Sequence, residues 1–361
     1  MQLGVNLGYW GPGSAPADGV ELARAAEELG YSVCWAAEAY GSDAVTVLSW
    51  IGARTTRIGV GAAVLQIPAR SAAMTAMTAA TLDSLSGGRF RLGLGVSGPQ
   101  VSEGWHGVRF DAPLARTREY VDVVRLALSR KPLRYEGRHI TLPLPDGPGK
   151  ALRLTVHPVR PAIPVYLAAI GPRNLQLAGE IADGWLALFF SPEHSGQLLD
   201  TVREGRRKAG VAGDPRIDAD DVMEGFDVVP TVPVAVADDV EQAAEAVRPY
   251  CALYVGGMGS REQNFYNELA CRMGFEKEAA LVQDLYLTGR HREAAAAVPL
   301  EFVDATSLLG PPDRIGDRLS AFAQAGVTTL NVSPYAGDPD GRLAVLRTVA
   351  EQLDAGGLAG R

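Results

Sequence analysis

Strand-like and helix-like patterns alternate along nearly the whole of this chain, and no other feature constrains its fold so tightly. Short apolar, β-branched or glycine-bearing runs cover residues 3–8, 33–37, 57–65, 90–96, 163–169, 185–189, 226–236 and 327–332. Between them, apolar residues recur at helical spacing over 18–29, 43–53, 71–85, 114–128, 174–182, 194–209, 240 to about 297, and 313–325. A last helical pattern spans 342–353. Regular alternation predicts a parallel sheet with helical crossovers. Eight such units predict a closed (β/α)8 TIM barrel rather than an open doubly wound sheet. An open sheet of that kind usually carries G-x-G-x-x-G in its first turn. The turn here, residues 8–13, is rich in glycine but lacks that spacing.

Length then becomes informative. A barrel of this type needs about 250 residues, and this chain has 361. We therefore expect one barrel domain over residues 1–361, with the surplus in insertions. One is the Pro/Gly-rich excursion 131–161, predicted as loop with short extended pieces. The largest lies between strands seven and eight. The acidic stretch 214–227 reads as a solvated surface loop.

Composition narrows the function classes. The net charge of −8 argues against a nucleic-acid partner. Cys34, Cys251 and Cys271 are far apart and form no C-x-x-C, so they read as reduced thiols of a cytoplasmic protein. No H-E-x-x-H is present, and no metal is expected. No signal peptide is visible at the N-terminus. No apolar run approaches the roughly 20 residues of a membrane span.

Barrel enzymes place their chemistry at the C-terminal ends of the strands. Glu38 ends strand two, as a carboxylate site candidate or a helix cap. Ala62-Ala63-Val64-Leu65-Gln66 ends strand three. Ser97-Gly98-Pro99-Gln100 ends strand four, where glycine lets the backbone approach a flat ligand. Gly171-Pro172-Arg173-Asn174 follows strand five and opens a helix, a geometry suited to phosphate. His106, beside Trp105, follows strand four near the mouth. Tyr9 and Trp10 follow strand one as candidate substrate-pocket residues. Residues 86–89 fall at the opposite, stability face.

These motifs, together with Gly41-Ser42-Asp43-Ala44, the 86–98 run, Leu114-Ala115-Arg116-Thr117-Arg118-Glu119-Tyr120, Ala182-Asp183-Gly184-Trp185 and Gly310-Pro311-Pro312-Asp313, occur in order over most of the chain. In this the chain resembles the luciferase-like monooxygenase superfamily, and within it the branch that uses the deazaflavin coenzyme F420. The resemblance implies a barrel holding a flavin or deazaflavin ring in its mouth. It implies that Glu38 contacts the ring or its side chain. It implies a non-proline cis peptide at Ala63–Val64 supporting one ring face. Gln66, Ser97, Gly98 and Gln100 would line the ring, and Gly171, Pro172, Arg173 and Asn174 would hold the phosphate. Glu38 and His106 stand as the catalytic candidates. Ala39 departs from related sugar-phosphate dehydrogenases, which carry a histidine there for proton transfer.

The implied activity is hydride transfer between F420 and a small organic substrate, with reduction of an activated C=C or C=N bond as the first class to try. An FMN-dependent monooxygenase using O2 is the alternative, and a cofactor-binding protein without turnover is a third reading. A homodimer is the family expectation.

Overall fold

The computed structural model describes residues 1–10, 16–211 and 221–360. Eight strands form its centre. They are β1 Gln2–Gly8, β2 Val33–Ala36, β3 Gly59–Ala62, β4 Phe90–Gly95, β5 Val165–Ala168, β6 Gly184–Leu188, β7 Asp227–Val236 and β8 Thr329–Pro334. Each pairs in parallel with the next. β8 returns to β1 with Gln2 opposite Thr329, so the sheet closes on itself. The order is sequential around the ring, as the alternation predicts. The glycine-rich turn beyond Trp10 and residues 214–220 of the acidic stretch lie outside the described residues; in the other half Val222 and Phe226 are buried and Asp227 opens β7, so that half is not a solvated loop throughout.

Helices pack around this ring. In chain order they are α1 Pro16–Glu28, α2 Ala44–Gly52, α3 Ala72–Leu85, the short α4 Pro99–Gly104, α5 Pro113–Leu128, α6 Pro172–Ile181 and α7 Gly196–Lys208. Asp43 and Ser71 cap α2 and α3 through their side chains, accepting from Thr46 N and Met74 N. The excursion 131–161 contains a small antiparallel ribbon of Tyr135–Glu136 against Thr141–Leu142.

The insertion after β7 holds α8 Val240–Ala252, a π-helical turn at Leu253–Gly257, α9 Phe265–Arg272, α10 Glu276–Leu287, α11 His291–Ala296 and α12 Leu300–Ala305. It has its own apolar core, built around Phe189, Val247, Val282 and Phe302. Two of its parts escape the sequence reading: α12, and a strand at Leu308–Gly310 that pairs with the end of β7. Both are too short to show a period. α13 Pro312–Gln324 and α14 Pro339–Ala355 complete the outer layer.

Alternation along each strand divides two cores. Leu3, Val5, Val60, Leu92, Leu330 and Val332 face the helices. Trp35, Tyr166, Leu186 and Val229 fill the barrel interior. Trp35 needs room, and glycine provides it: a Cβ on Gly61 would sit 2.4 Å from its ring. At the N-terminal end of the barrel, Asp227 accepts from Tyr166 Oη at 3.0 Å and Thr329 Oγ1 at 2.9 Å. Arg91 lies 3.6 Å from the same carboxylate. Outside this plug, Arg89 donates to the carbonyls of Ser86, Ile58, Gly52 and Thr55. That bears out a structural role for residues 86–89 and closes the face opposite the mouth.

Candidate active site

Glu38 leaves the end of β2 and is almost fully buried. Its Oε1 accepts from Gln66 N at 3.0 Å, and its Oε2 from Ala44 N at 3.2 Å. Both oxygens also receive the Arg70 guanidinium, which bridges onward to Asp43 at 2.6 Å. A carboxylate offers about four lone-pair sites, and four donors occupy them. Burial works against the charge on Arg70, but its bonds to Glu38 and the nearby Asp43 outweigh this and raise its pKa. Glu38 is therefore placed to tie the β2, β3 and α2 loops together, and no acceptor site remains on it for proton transfer. The geometry makes it a positioning residue in place of the catalytic role read from sequence.

Gln66 extends the same network. Its Nε2 donates to Ala39 O at 2.7 Å, and its Oε1 accepts from Ser97 Oγ at 2.9 Å. Ser97 holds φ +62°, a conformation that non-glycine residues seldom adopt. The ends of β2, β3 and β4 are thus hydrogen-bonded into one frame.

Inside that frame the barrel mouth has a floor of small groups. The Ala63–Val64 peptide is cis. Ala63, Val64 and Ala168 rest on the interior core around Trp35. A Cβ on Gly95 would meet Val64 Cγ2 at 2.6 Å, so glycine there keeps the floor low. Gly98 caps α4, and Gln100 folds back until its Oε1 would stand 3.6 Å from a Cβ on Gly98.

Gly171 caps α6 without a side-chain bond, and Pro172 occupies the first turn. Asn174 is turned inward to Ala168 O at 3.3 Å. Arg173 is exposed. From the insertion, Arg272 reaches Ile170 O at 3.4 Å and adds a second guanidinium beside this loop. Sequence reasoning missed Arg70 and Arg272, and had Asp43 only within a family motif, because the part each plays in the site depends on a partner distant in the chain. His106 does not join the frame. Its Nε2 is buried without a hydrogen-bond partner among the described residues, while Trp105 beside it is exposed.

A cavity of about 470 Å³ lies elsewhere, between the first turns of α3 and α5, lined by Ile67, Val96, Phe110, Thr117 and Tyr120. It shares Arg70 with the frame but none of the mouth residues named above. Among the described residues no group of His, Cys, Asp or Glu has metal-ligating geometry, and no helix is long and apolar enough to cross a membrane.

Comparison with known proteins gives a consistent picture. The luciferase-like monooxygenase family model matches residues 2–329. An oxidoreductase of Mycobacterium tuberculosis described as coenzyme F420-dependent is 43% identical over 351 residues, covering 96% of this chain and 99% of that protein. The 5,10-methylenetetrahydromethanopterin reductase of Archaeoglobus fulgidus is 28% identical over 319 residues, with 88% of each chain covered. The structure of the F420-dependent tetrahydromethanopterin reductase from Methanopyrus kandleri superposes with a TM-score of 0.80 at 24% identity, over 98% of both chains. With its closed parallel barrel, its insertion over the mouth and these matches along nearly its full length, the chain belongs to the luciferase-like monooxygenase family.

Proposed function

We propose that this protein is an F420-dependent oxidoreductase that exchanges a hydride with a small organic substrate. The observation that carries this reading is the 43% identity, end to end, with the mycobacterial oxidoreductase described as F420-dependent. The residues present fit such a group. Ala63, Val64, Gly95 and Ala168 offer a flat, low floor for a planar ring. The uncapped start of α6, with Arg173 and Arg272, suits a phosphate. When bound, the coenzyme supplies the redox chemistry. The protein's part is to orient the ring, exclude water and hold the substrate against it. Glu38 and Arg70 keep the loops around the floor in register. Ser97, Gly98 and Gln100 stand along one edge.

Titration with oxidised F420 and with FMN tests this reading. Saturable F420 binding and turnover without oxygen are expected. Tight FMN binding with none of F420 overturns it and favours a monooxygenase. Arg173→Ala should weaken F420 binding about tenfold. It should leave the phosphate-free ring fragment of the coenzyme unaffected.

The same kinship leads us to read the protein as a homodimer. Met74, Met77 and Leu85 form an exposed stripe along α3, at 50%, 51% and 71% accessibility, and such stripes mark association faces. Light scattering should give twice the chain mass, and Met74→Glu with Met77→Glu should give one. A monomeric parent protein would refute the assignment.

A further inference from the structure

The mouth has a roof as well as a floor, and the roof is made of tyrosines. Seven of the chain's 11 tyrosines gather there: Tyr9 and Tyr40 after β1 and β2, Tyr335 after β8, and Tyr250, Tyr254, Tyr266 and Tyr286 from the insertion. Tyr254 stands 4.7 Å from Tyr250 and 4.8 Å from Tyr266, centroid to centroid. All three pack on Phe189, which directly follows β6 and holds φ +51°.

This roof is rigid. The π-helical turn Leu253–Gly257 would leave carbonyls unpaired, but Asn264 Nδ2 donates to Tyr254 O and Val255 O at 3.0 and 2.9 Å. Asn267 adds a bond to Val255 O at 3.1 Å. Gly256 and Gly257 then let the Tyr286 ring lie on the backbone, since a Cβ on Gly257 would meet it at 2.3 Å. Turns of this kind often mark functional sites.

The hydroxyl groups carry the argument. Elsewhere in the fold, Tyr31, Tyr120, Tyr135 and Tyr166 each hydrogen-bond to a protein partner. Among the described residues, the hydroxyls of Tyr9, Tyr40, Tyr254, Tyr266 and Tyr286 have none, and they are not sealed from solvent. They are donors without a protein acceptor among the described residues. Burial, and then neighbouring tyrosines, push Tyr9, Tyr266 and Tyr286 up, with no carboxylate, lysine or arginine among the causes. A charged substrate would lose its hydration here without gaining a counter-ion.

We propose that Tyr9, Tyr40, Tyr254, Tyr266 and Tyr286 line the substrate chamber, and that it takes an uncharged aromatic or polycyclic compound bearing a carbonyl acceptor. The proposal rests on the oxidoreductase reading, because these tyrosines and the floor assigned to the coenzyme ring both lie beyond the C-terminal ends of the strands. The aromatic faces stack on the substrate, and the phenols donate to its oxygen.

Calorimetric titration of the full-length protein tests it, with and without F420. The probes are chalcone, its hydrocarbon analogue 1,3-diphenylpropane, and 4-carboxychalcone. Chalcone should bind at least tenfold more tightly than the carboxylate. Tyr254→Phe and Tyr266→Phe keep the rings and the fold. Each should weaken chalcone about fivefold and leave diphenylpropane unchanged. Equal affinity for the carboxylate, or Phe variants that bind chalcone as the parent does, overturns the proposal. F420 affinity of the same variants should not move. Should F420 fail to bind at all while the chalcone pattern holds, the coenzyme assignment falls and the chamber stands.

Discussion

Arg70→Met should cost the protein its coenzyme site. The guanidinium holds both oxygens of Glu38 and one of Asp43, and the Glu38 pair is largely buried. Removing one partner leaves a buried carboxylate with only two backbone donors, a loss of about 3 kcal/mol or more. The β2 and β3 loops that this pair joins also carry Ala63, Val64 and Gln66. F420 affinity should therefore fall at least tenfold, because a cradle is only as well placed as its supports. Fluorescence titration reads the affinity, and urea denaturation reads the stability. Glu38→Gln keeps the shape and loses the charge, so it should do less harm than Arg70→Met. A double-mutant cycle should show strong coupling between the two positions. Unchanged F420 affinity in Arg70→Met would remove this frame from the site.

Gly93→Ala should abolish folding. A single methyl there would lie 1.9 Å from Ala62 O and 2.8 Å from Leu186 Cδ1. The first of these is backbone held in the β2–β3–β4 ladder, so it has no rotamer to change. Overpacking ordinarily costs about 1–3 kcal/mol, but contact this close with a fixed strand goes beyond that range. Soluble yield should drop to near zero, with loss of near-ultraviolet circular dichroism in whatever remains. Gly98→Ala is the control. Its Cβ would meet nothing nearer than 3.6 Å, and it should melt as the parent does. A soluble Gly93→Ala protein with the parent's melting temperature would contradict the packing described.

The barrel was legible because its signal is repeated. Each strand is short, but the alternation with helices recurs eight times, and the positions differ from those observed by a few residues at most. Residues 57–65 show the limit. They read as one continuous strand, yet β3 stops at Ala62 and the chain resumes at Leu65–Gln66. No local pattern encodes that break. The strand ends that frame the candidate site were legible where motif and strand end coincide, as at Ser97 or Gly171. The site was not legible where function lies in pairing. Glu38 read as a site carboxylate or a helix cap, and the Arg70 that neutralises it stands 32 residues away. The tyrosine roof was hidden for the same reason: its members come from the loops after β1, β2 and β8 and from the insertion, and only ring closure brings Tyr9 near Tyr286.

Ring closure also has a consequence for synthesis. β8 is the partner of β1, so β1 waits until the other seven strands of the ring have been made. At about 5–20 residues per second, that wait lasts some tens of seconds. Throughout it one edge of β1 stands without a neighbour, joined later by one edge of β7, and such edges invite pairing with other chains. A cell making this protein quickly would accumulate open, adhesive sheets, and slower translation would favour chains that shut before they meet.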